Sequence, residues 1–364
     1  MGVLAAILVL ALLIIVHELG HFLAARLQGI HVNRFSIGFG PILWKYQGAQ
    51  TEYALRGIPL GGFVGFPDDD DETTIPADDP DLLRNRPVLD RAIVISAGVI
   101  ANLLFAYFIL VAQVGIFGIP DGFNYQTGVL VPQVLAESSP AAQAGLKAGD
   151  VIIAVNSQEL GASNTAITEL MSAIQSSVNK PLALTVQRDR QQLTLRVTPQ
   201  GGTDGKGRIG VQLLPNGKPY YRPVQNPVEL LTLAANQFQD IVNRTVGGFV
   251  QLATHFQDTV GQVAGPVGIV EQGAKFARND IANLFTFAAI ISINLAVLNI
   301  LPLPALDGGQ LAFLLVEGLR GKPLPNKLQD GVMQTGLVLL LGLGVFLIIR
   351  DTVQLDGIQQ LLSR

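Results

Sequence analysis

Apolar residues gather in four long runs, separated by stretches in which the hydrophobic period changes. Gly2 to Ala25, Ala92 to Ile119, Ile281 to Leu301 and Val332 to Ile349 each come close to the roughly 20 apolar residues that a bilayer-crossing helix needs. From Gly128 to Leu214 the pattern is different. Gly128-Val129-Leu130-Val131 and Val151-Ile152-Ile153-Ala154-Val155 are β-rich, while 182–186 and 193–197 alternate as half-buried strands do. Ser139-Pro140-Ala141-Ala142 opens a short helix that stops at Gly145, and 165–178 suits a second. In 227–256 the apolar positions recur at threes and fours, with Asn236, Gln239, Asp240, Asn243 and Arg244 opposite. That predicts an amphipathic helix, lying at a membrane surface or packed on the β module.

The fold class expected is a polytopic α-helical membrane protein with four transmembrane helices, an inserted soluble α+β domain and a membrane-associated β-hairpin. Its plan runs from a first span (1–27) through a polar loop (28–91) to a second span (92–119). The soluble domain (125–215) and amphipathic helix (227–257) follow, then a third span ending in a broken helix (281–310) and a fourth span (332–350). Within the first loop, 35–41 and 51–56 read as short strands. Gly57-Ile58-Pro59-Leu60-Gly61-Gly62-Phe63-Val64-Gly65-Phe66 is apolar and glycine-rich. It reads as a hairpin, about 51–66, dipping into protein-covered membrane space, or as a greasy surface loop. The acids from Asp68 to Asp81 read as a solvated segment, with calcium binding as the weaker alternative.

Composition agrees with a membrane setting: of 364 residues, 49% are hydrophobic and only 14% charged, and mean hydropathy is +0.41. A typical soluble domain carries about 25% charged residues. A net charge of −4 gives no reason to expect nucleic acid. With no cysteine, there is no disulfide, thiolate ligand or cysteine nucleophile, so any metal falls to His, Asp or Glu. The first run lacks the basic n-region of a cleaved leader and is read as a retained span. Basic residues crowd the first loop (Arg26, Arg34, Lys45, Arg56, Arg84, Arg86, Arg91) and the last (Arg320, Lys322, Lys327). The positive-inside rule puts both loops in the cytoplasm, and the termini and β module outside. Lys275 and Arg278 weigh mildly the other way.

Chemistry enters at His17-Glu18-Leu19-Gly20-His21, inside the first apolar run. Ionisable groups in a membrane span are expensive and functional by default. On a helix, i and i+4 share a face, so both imidazoles can grip one metal ion, with Glu18 beside a metal-bound water. A catalytic zinc usually takes three protein ligands. His31 and His255 lie in polar stretches and read as surface residues. Asp307 is the better third ligand: Pro302 and Pro304 cannot continue a helix, and Gly308-Gly309 lets the backbone approach closely.

Paired with Asn299 through Gly308, the His17–His21 motif resembles the site-2 protease family of intramembrane zinc metalloproteases. The β module, with Ser139-Pro140-Ala141-Ala142 and Gly145-Leu146-Lys147-Ala148-Gly149-Asp150-Val151-Ile152, resembles a circularly permuted PDZ domain. The arrangement is similar to the sigma-E-regulator protease subgroup of bacteria and plastids, here with one PDZ domain. Gly265 to Ile269 also resembles a family segment. The resemblance implies Zn2+ held by His17, His21 and Asp307, Glu18 as general base, and Asn299 contacting substrate or stabilising the oxyanion. It implies substrate contacts at Gly57, Pro59, Leu60, Gly61, Gly62 and Phe63 through strand addition, and at Pro302 and Pro304. Expected partners are single-span membrane proteins, the lipid bilayer and peptide C-termini captured by the PDZ domain, with Arg208 to Val211 one candidate for its pocket. The expected location is a bacterial inner membrane or plastid membrane, with the active site towards the cytoplasm. The expected activity is cleavage within transmembrane segments, as of an anti-sigma-type regulator or remnant signal peptides. The alternative is a non-catalytic PDZ-bearing receptor or scaffold with a relict metal site.

Overall fold

Long unbroken apolar runs leave the backbone no partner but itself, and in each of the four the chain is helical. The computed structural model describes residues 2–69, 75–136, 138–202, 205–259, 263–279 and 281–354. In chain order these form α1 (Gly2–Leu27), β1 (Arg34–Gln47), β2 (Glu52–Gly65), α2 (Val88–Phe117), β3 (Ile119–Val134), α3 (Pro140–Gln143) and β4 (Val151–Val155). Then follow β5 (Gln158–Glu159), α4 (Ala166–Ser176), β6 (Leu182–Arg188), β7 (Gln191–Val197), β8 (Gln200–Gly201), β9 (Gly207–Arg208) and β10 (Val211–Arg222). The last part holds α5 (Pro227–Thr254), α6 (Phe256–Thr259), α7 (Pro266–Asn279), α8 (Ile281–Ile300), α9 (Asp307–Arg320) and α10 (Asn326–Gln354). Two compact units emerge: residues 1–117 with 224–364, and residues 118–223.

Among the described residues, α1, α2, α8 and α10 of the first unit are the helices long and apolar enough to cross a membrane. The α2–α8 seam is small and tight, with Ala106, Leu110, Ala289 and Ile293 fully enclosed or nearly so. Polar side chains stitch it. Ser292 Oγ donates to the Asn102 backbone carbonyl at 2.8 Å, and Gln113 Nε2 donates to Thr286 Oγ1 at 2.8 Å. Such bonds satisfy polar groups that lipid could not. Between α1 and α2, Gly20 has no room for a Cβ, because the Ala97 carbonyl and Ala101 Cβ already occupy the space. The amphipathic helix α5 packs one face within the first unit. Ala234 and Phe238 bury against α2 and α8.

The first loop also departs from the expectation. Instead of a self-contained hairpin over 51–66, β1 and β2 are two long bent strands that fold on one another. The tight reversal lies at 48–51, where Tyr46 faces Tyr53 and Trp44 faces Leu55 in antiparallel register. The far half of β2 then returns antiparallel along the start of β1, pairing Phe35 with Val64 and Ile37 with Gly62. On its other side Arg34 to Ile37 runs parallel to Glu52 to Leu55, so it is flanked on both sides. Asp70 to Thr74, in the acidic run, lie outside the described residues.

The second unit is a sheet ordered β10-β3-β4-β6-β7, antiparallel throughout, with β5 on β4. Its flanks run beyond 125–215, because β3 and β10 pair continuously out to Ile119 and Arg222. Val129, Ile152, Leu170, Leu184 and Val186 form a dry core under α4. Ser139 caps α3 by accepting from the Ala142 amide, with Pro140 at the first turn. In the stretch Arg208 to Val211 the backbone is already engaged: the Ile209 and Gly210 carbonyls accept from Ala141 and Leu135.

Candidate metal centre

Helical spacing stacks His17 and His21 one turn apart on α1, facing α2 and the start of α9. Their Nε2 atoms lie 3.2 Å apart. Asp307 Oδ2 sits 3.2 Å from the His17 nitrogen and 3.4 Å from that of His21. All three side chains are largely enclosed, at 11%, 12% and 17% exposure.

What brings Asp307 there is the break after α8. That helix ends at Ile300, and Pro302 and Pro304 forbid its continuation. Asp307 is therefore the first residue of a new helix rather than part of the third span. Ala305 takes a left-handed φ of 66°, and the Leu303 amide turns back to the Leu301 carbonyl at 2.6 Å. Gly308 lies so close to the Ile300 and Leu301 carbonyls that any side chain would collide with them. The ion pair between Arg91 of α2 and Glu317 of α9 anchors the new helix; both partners are mostly buried.

The triangle fits a metal ion. A tetrahedral zinc with nitrogen and oxygen ligands at about 2.0–2.1 Å has ligand–ligand edges of about 3.3–3.4 Å. Asp307 Oδ2 is buried without a well-formed hydrogen bond, although two imidazole nitrogens face it. An anionic oxygen so placed opposite two lone pairs calls for a cation among them. His21 Nδ1 bonds the Val94 carbonyl at 2.8 Å, which fixes its proton there and leaves Nε2 free to ligate. Gly98, one turn on from Val94, keeps the space open: a Cβ there would lie 2.6 Å from His17 Cε1 and press on His21 Nε2.

Glu18 lies beside the triangle, its carboxylate accepting from the Val64 amide of β2. Gly62 passes so near that a Cβ would meet Glu18 Cγ at 2.9 Å. Asn299, buried at the end of α8, presents Nδ2 3.2 Å from His17 Nε2.

The remaining expected contacts are spread out. Gly61 adopts φ +105° over the Phe39 ring, and Phe63 lies under Arg56, 5.5 Å from its guanidinium carbon. Gly57, in the middle of β2, neighbours Pro41 and Leu43. The side chains of Pro59 and Leu60 lie outside the described residues. Pro302 is exposed, whereas Pro304 packs on Gly336 of α10 and borders an apolar groove of about 490 Å³ with Leu303, Leu328, Val332 and Leu340. His31 pairs with Asp79 at 3.6 Å, and His255 is exposed beside Thr254. Sequence reasoning missed Val94, Gly98 and Asn102. The available signal was an amide in an apolar span, four residues after a glycine.

Residues 5–343, which include every member of this cluster, match Peptidase family M50. The chain belongs to Peptidase family M50. It is thus a zinc metalloprotease of the site-2 protease type, with four apolar helices of membrane-spanning length. Among similar M50 chains, one from Nostoc sp. that carries a zinc-metalloprotease name is 63% identical over 98% of this chain and 97% of its own length. Membrane metalloprotease ARASP, chloroplastic, of Arabidopsis thaliana is 47% identical over 99% of this chain and 81% of its own. The regulator of sigma-W protease RasP of Bacillus subtilis is 28% identical over 93% and 95%. Part of this M50 chain, 24% of it, is also similar to 92% of a PDZ domain of the SdrC-like protein from Listeria innocua, at 25% identity and a TM-score of 0.21.

Proposed function

We propose that this M50 peptidase cuts peptide bonds inside the transmembrane segments of single-span membrane proteins, with His17, His21 and Asp307 holding the zinc and Glu18 as general base. The observation that carries the reading is the convergence of three ligand atoms, 3.2–3.4 Å apart, with a carboxylate on the residue after the first. Bound zinc would supply Lewis acidity and a water acidic enough to act near neutral pH. Glu18 takes the proton of the attacking water and returns it to the leaving amine; the Val64 amide holds its carboxylate in place. Asn299 directs an amide N–H into the same space, where the carbonyl oxygen gathers charge as it is attacked.

A helix occupies its own carbonyls, so substrate must be unwound before attack. The returning half of β2, from Gly61 to Val64, passes directly beside Glu18 and offers an edge for strand addition. The groove at Pro304 suits the apolar remainder of the substrate. Sidedness follows the basic loops: the site faces the cytoplasm, and the sheet unit lies across the membrane. In this reading the sheet unit is a PDZ domain that admits trimmed substrates or binds their C-termini. A relict-site scaffold is the poorer reading, because base, ligands and amide are all present and mutually placed.

Replacing Glu18 by Gln keeps the shape and removes the base. The variant should bind one zinc per chain and leave single-span fragments uncut in a membrane proteome where wild type removes them. Cleavage by Glu18→Gln at a wild-type rate would overturn the assignment.

A further inference from the structure

Position 102 has no role in the proposed chemistry, yet it holds a fully buried amide in the middle of an apolar helix. Asn102 is 0% exposed. Its Nδ2 lies 3.3 Å from His17 Nδ1, and its Oδ1 has no hydrogen-bond partner among the described residues. A buried amide in lipid-covered protein is costly unless its bonds are made, so this arrangement needs a reason.

We infer that Asn102 is a positioning residue that holds His17 in the tautomer able to bind metal; the inference rests on the zinc reading above. His17 turns Nε2 towards His21 and Asp307. For Nε2 to give its lone pair to a metal, the ring proton must sit on Nδ1, and that N–H needs an acceptor. His21 has the Val94 carbonyl for this purpose. His17 has the Asn102 side chain. An amide turned by 180° about its last side-chain bond exchanges nitrogen and oxygen in nearly the same place, so Oδ1 then meets Nδ1 at the distance Nδ2 now occupies. With Nε2 protonated, the same amide donates to Nδ1 instead. Asn102 therefore serves His17 in both states, which neither a carbonyl nor a hydrocarbon can do.

The backbone under Asn102 is itself pinned by Ser292 Oγ at 2.8 Å. Val94, Gly98 and Asn102 recur at every fourth position, so they form one stripe along α2 facing the two histidines. The first orients His21, the second leaves room for the ion, and the third orients His17. Half of the metal centre's support thus comes from a helix that contributes no ligand.

The test is zinc affinity of the full chain in detergent, measured by competition with a chromophoric chelator, with the visible spectrum of the Co2+-loaded protein as a second readout. Asn102→Leu and Asn102→Ala should weaken zinc binding about 10- to 100-fold and alter the cobalt spectrum. Asn102→Asp, which can only accept, should hold zinc within about threefold of wild type, a rescue that a packing role does not predict. Gln113→Leu makes the same kind of change three turns further along the α2–α8 seam and should leave affinity unchanged. The inference is overturned if Asn102→Leu or Asn102→Ala binds zinc like wild type, or if a folded Asn102→Asp loses it equally. Should Asn102→Leu fail to fold, the alanine and aspartate variants decide between the same two results. Wild type that binds no zinc would sink the zinc reading instead.

Discussion

Gly98→Ala adds one methyl group and should disable the metal centre. The new Cβ would lie 2.6 Å from His17 Cε1, where ordinary contact begins at 3.4 Å, so the ring or the helix must yield by about 0.8 Å. It also presses on His21 Nε2, one of the proposed ligand atoms. Metal–ligand distances tolerate about 0.2 Å, so a shift of that size costs at least one ligand. Relief by separating α1 from α2 would open the close contact that Gly20 makes with Ala97 and Ala101 one helix turn away. Losing one ligand of three should weaken zinc binding by at least about 100-fold, or roughly 3 kcal/mol. Zinc content by mass spectrometry, chelator competition for affinity and circular dichroism for helicity together measure this. If Gly98→Ala retains helicity and binds zinc within about threefold of wild type, the placement of the ion against α2 is refuted.

Three other outcomes follow from the same packing. Gly308→Ala should release zinc, because its methyl group would meet the Ile300 carbonyl at 2.5 Å and push Asp307 away; equal metal content in variant and wild type would contradict this. Arg91→Ala leaves Glu317 largely buried without its partner and should cost about 1–3 kcal/mol, read as a lower melting temperature in detergent, with the double variant Arg91→Ala/Glu317→Ala recovering part of it. In the sheet unit, burial pushes the Asp150 carboxyl up, but two 2.7 Å bonds from Arg188 and one from the Lys147 amide outweigh it and hold the group below the usual carboxylate range. Its stabilisation is therefore full above the unfolded pKa of about 3.9 and is lost as pH falls through the lower folded value. Arg188→Ala should destabilise the isolated segment 118–223 by about 3 kcal/mol at pH 7 and by less in acid, as followed by circular dichroism; a loss that does not shrink in acid would contradict the linkage.

How much was legible follows the range of the interactions involved. The His17/His21 pair is a local fact: four residues on a helix give one face, whatever surrounds it. Pro302, Pro304 and Gly308-Gly309 mark the helix break with equal locality, which is why Asp307 stood out as a candidate. The break's form was not legible. Asp307 begins α9 because the Leu303 amide turns back on Leu301 and Ala305 takes a left-handed conformation, and no periodicity encodes that. The loop strands failed differently. Glycine and proline placed turns within 57–66, but strand partners are chosen across the sequence, so Gly62 pairs with Ile37 and not with a residue inside its own segment.

Taken by itself, the sequence determined that four helices are long and apolar enough to span a membrane, that a β-rich unit interrupts them, and that two histidines and a glutamate share one span. These follow from hydrophobic period and chain stiffness, which act over a few residues. Only the tertiary structure decided where the amphipathic α5 packs, which strand edge lies against Glu18, and that α2 supports both histidines. An apolar helix can bury any of its faces, and the one that α2 buries is set by contact: Gly98 where two helices nearly touch, and Asn102 where a buried imidazole has a nitrogen to satisfy.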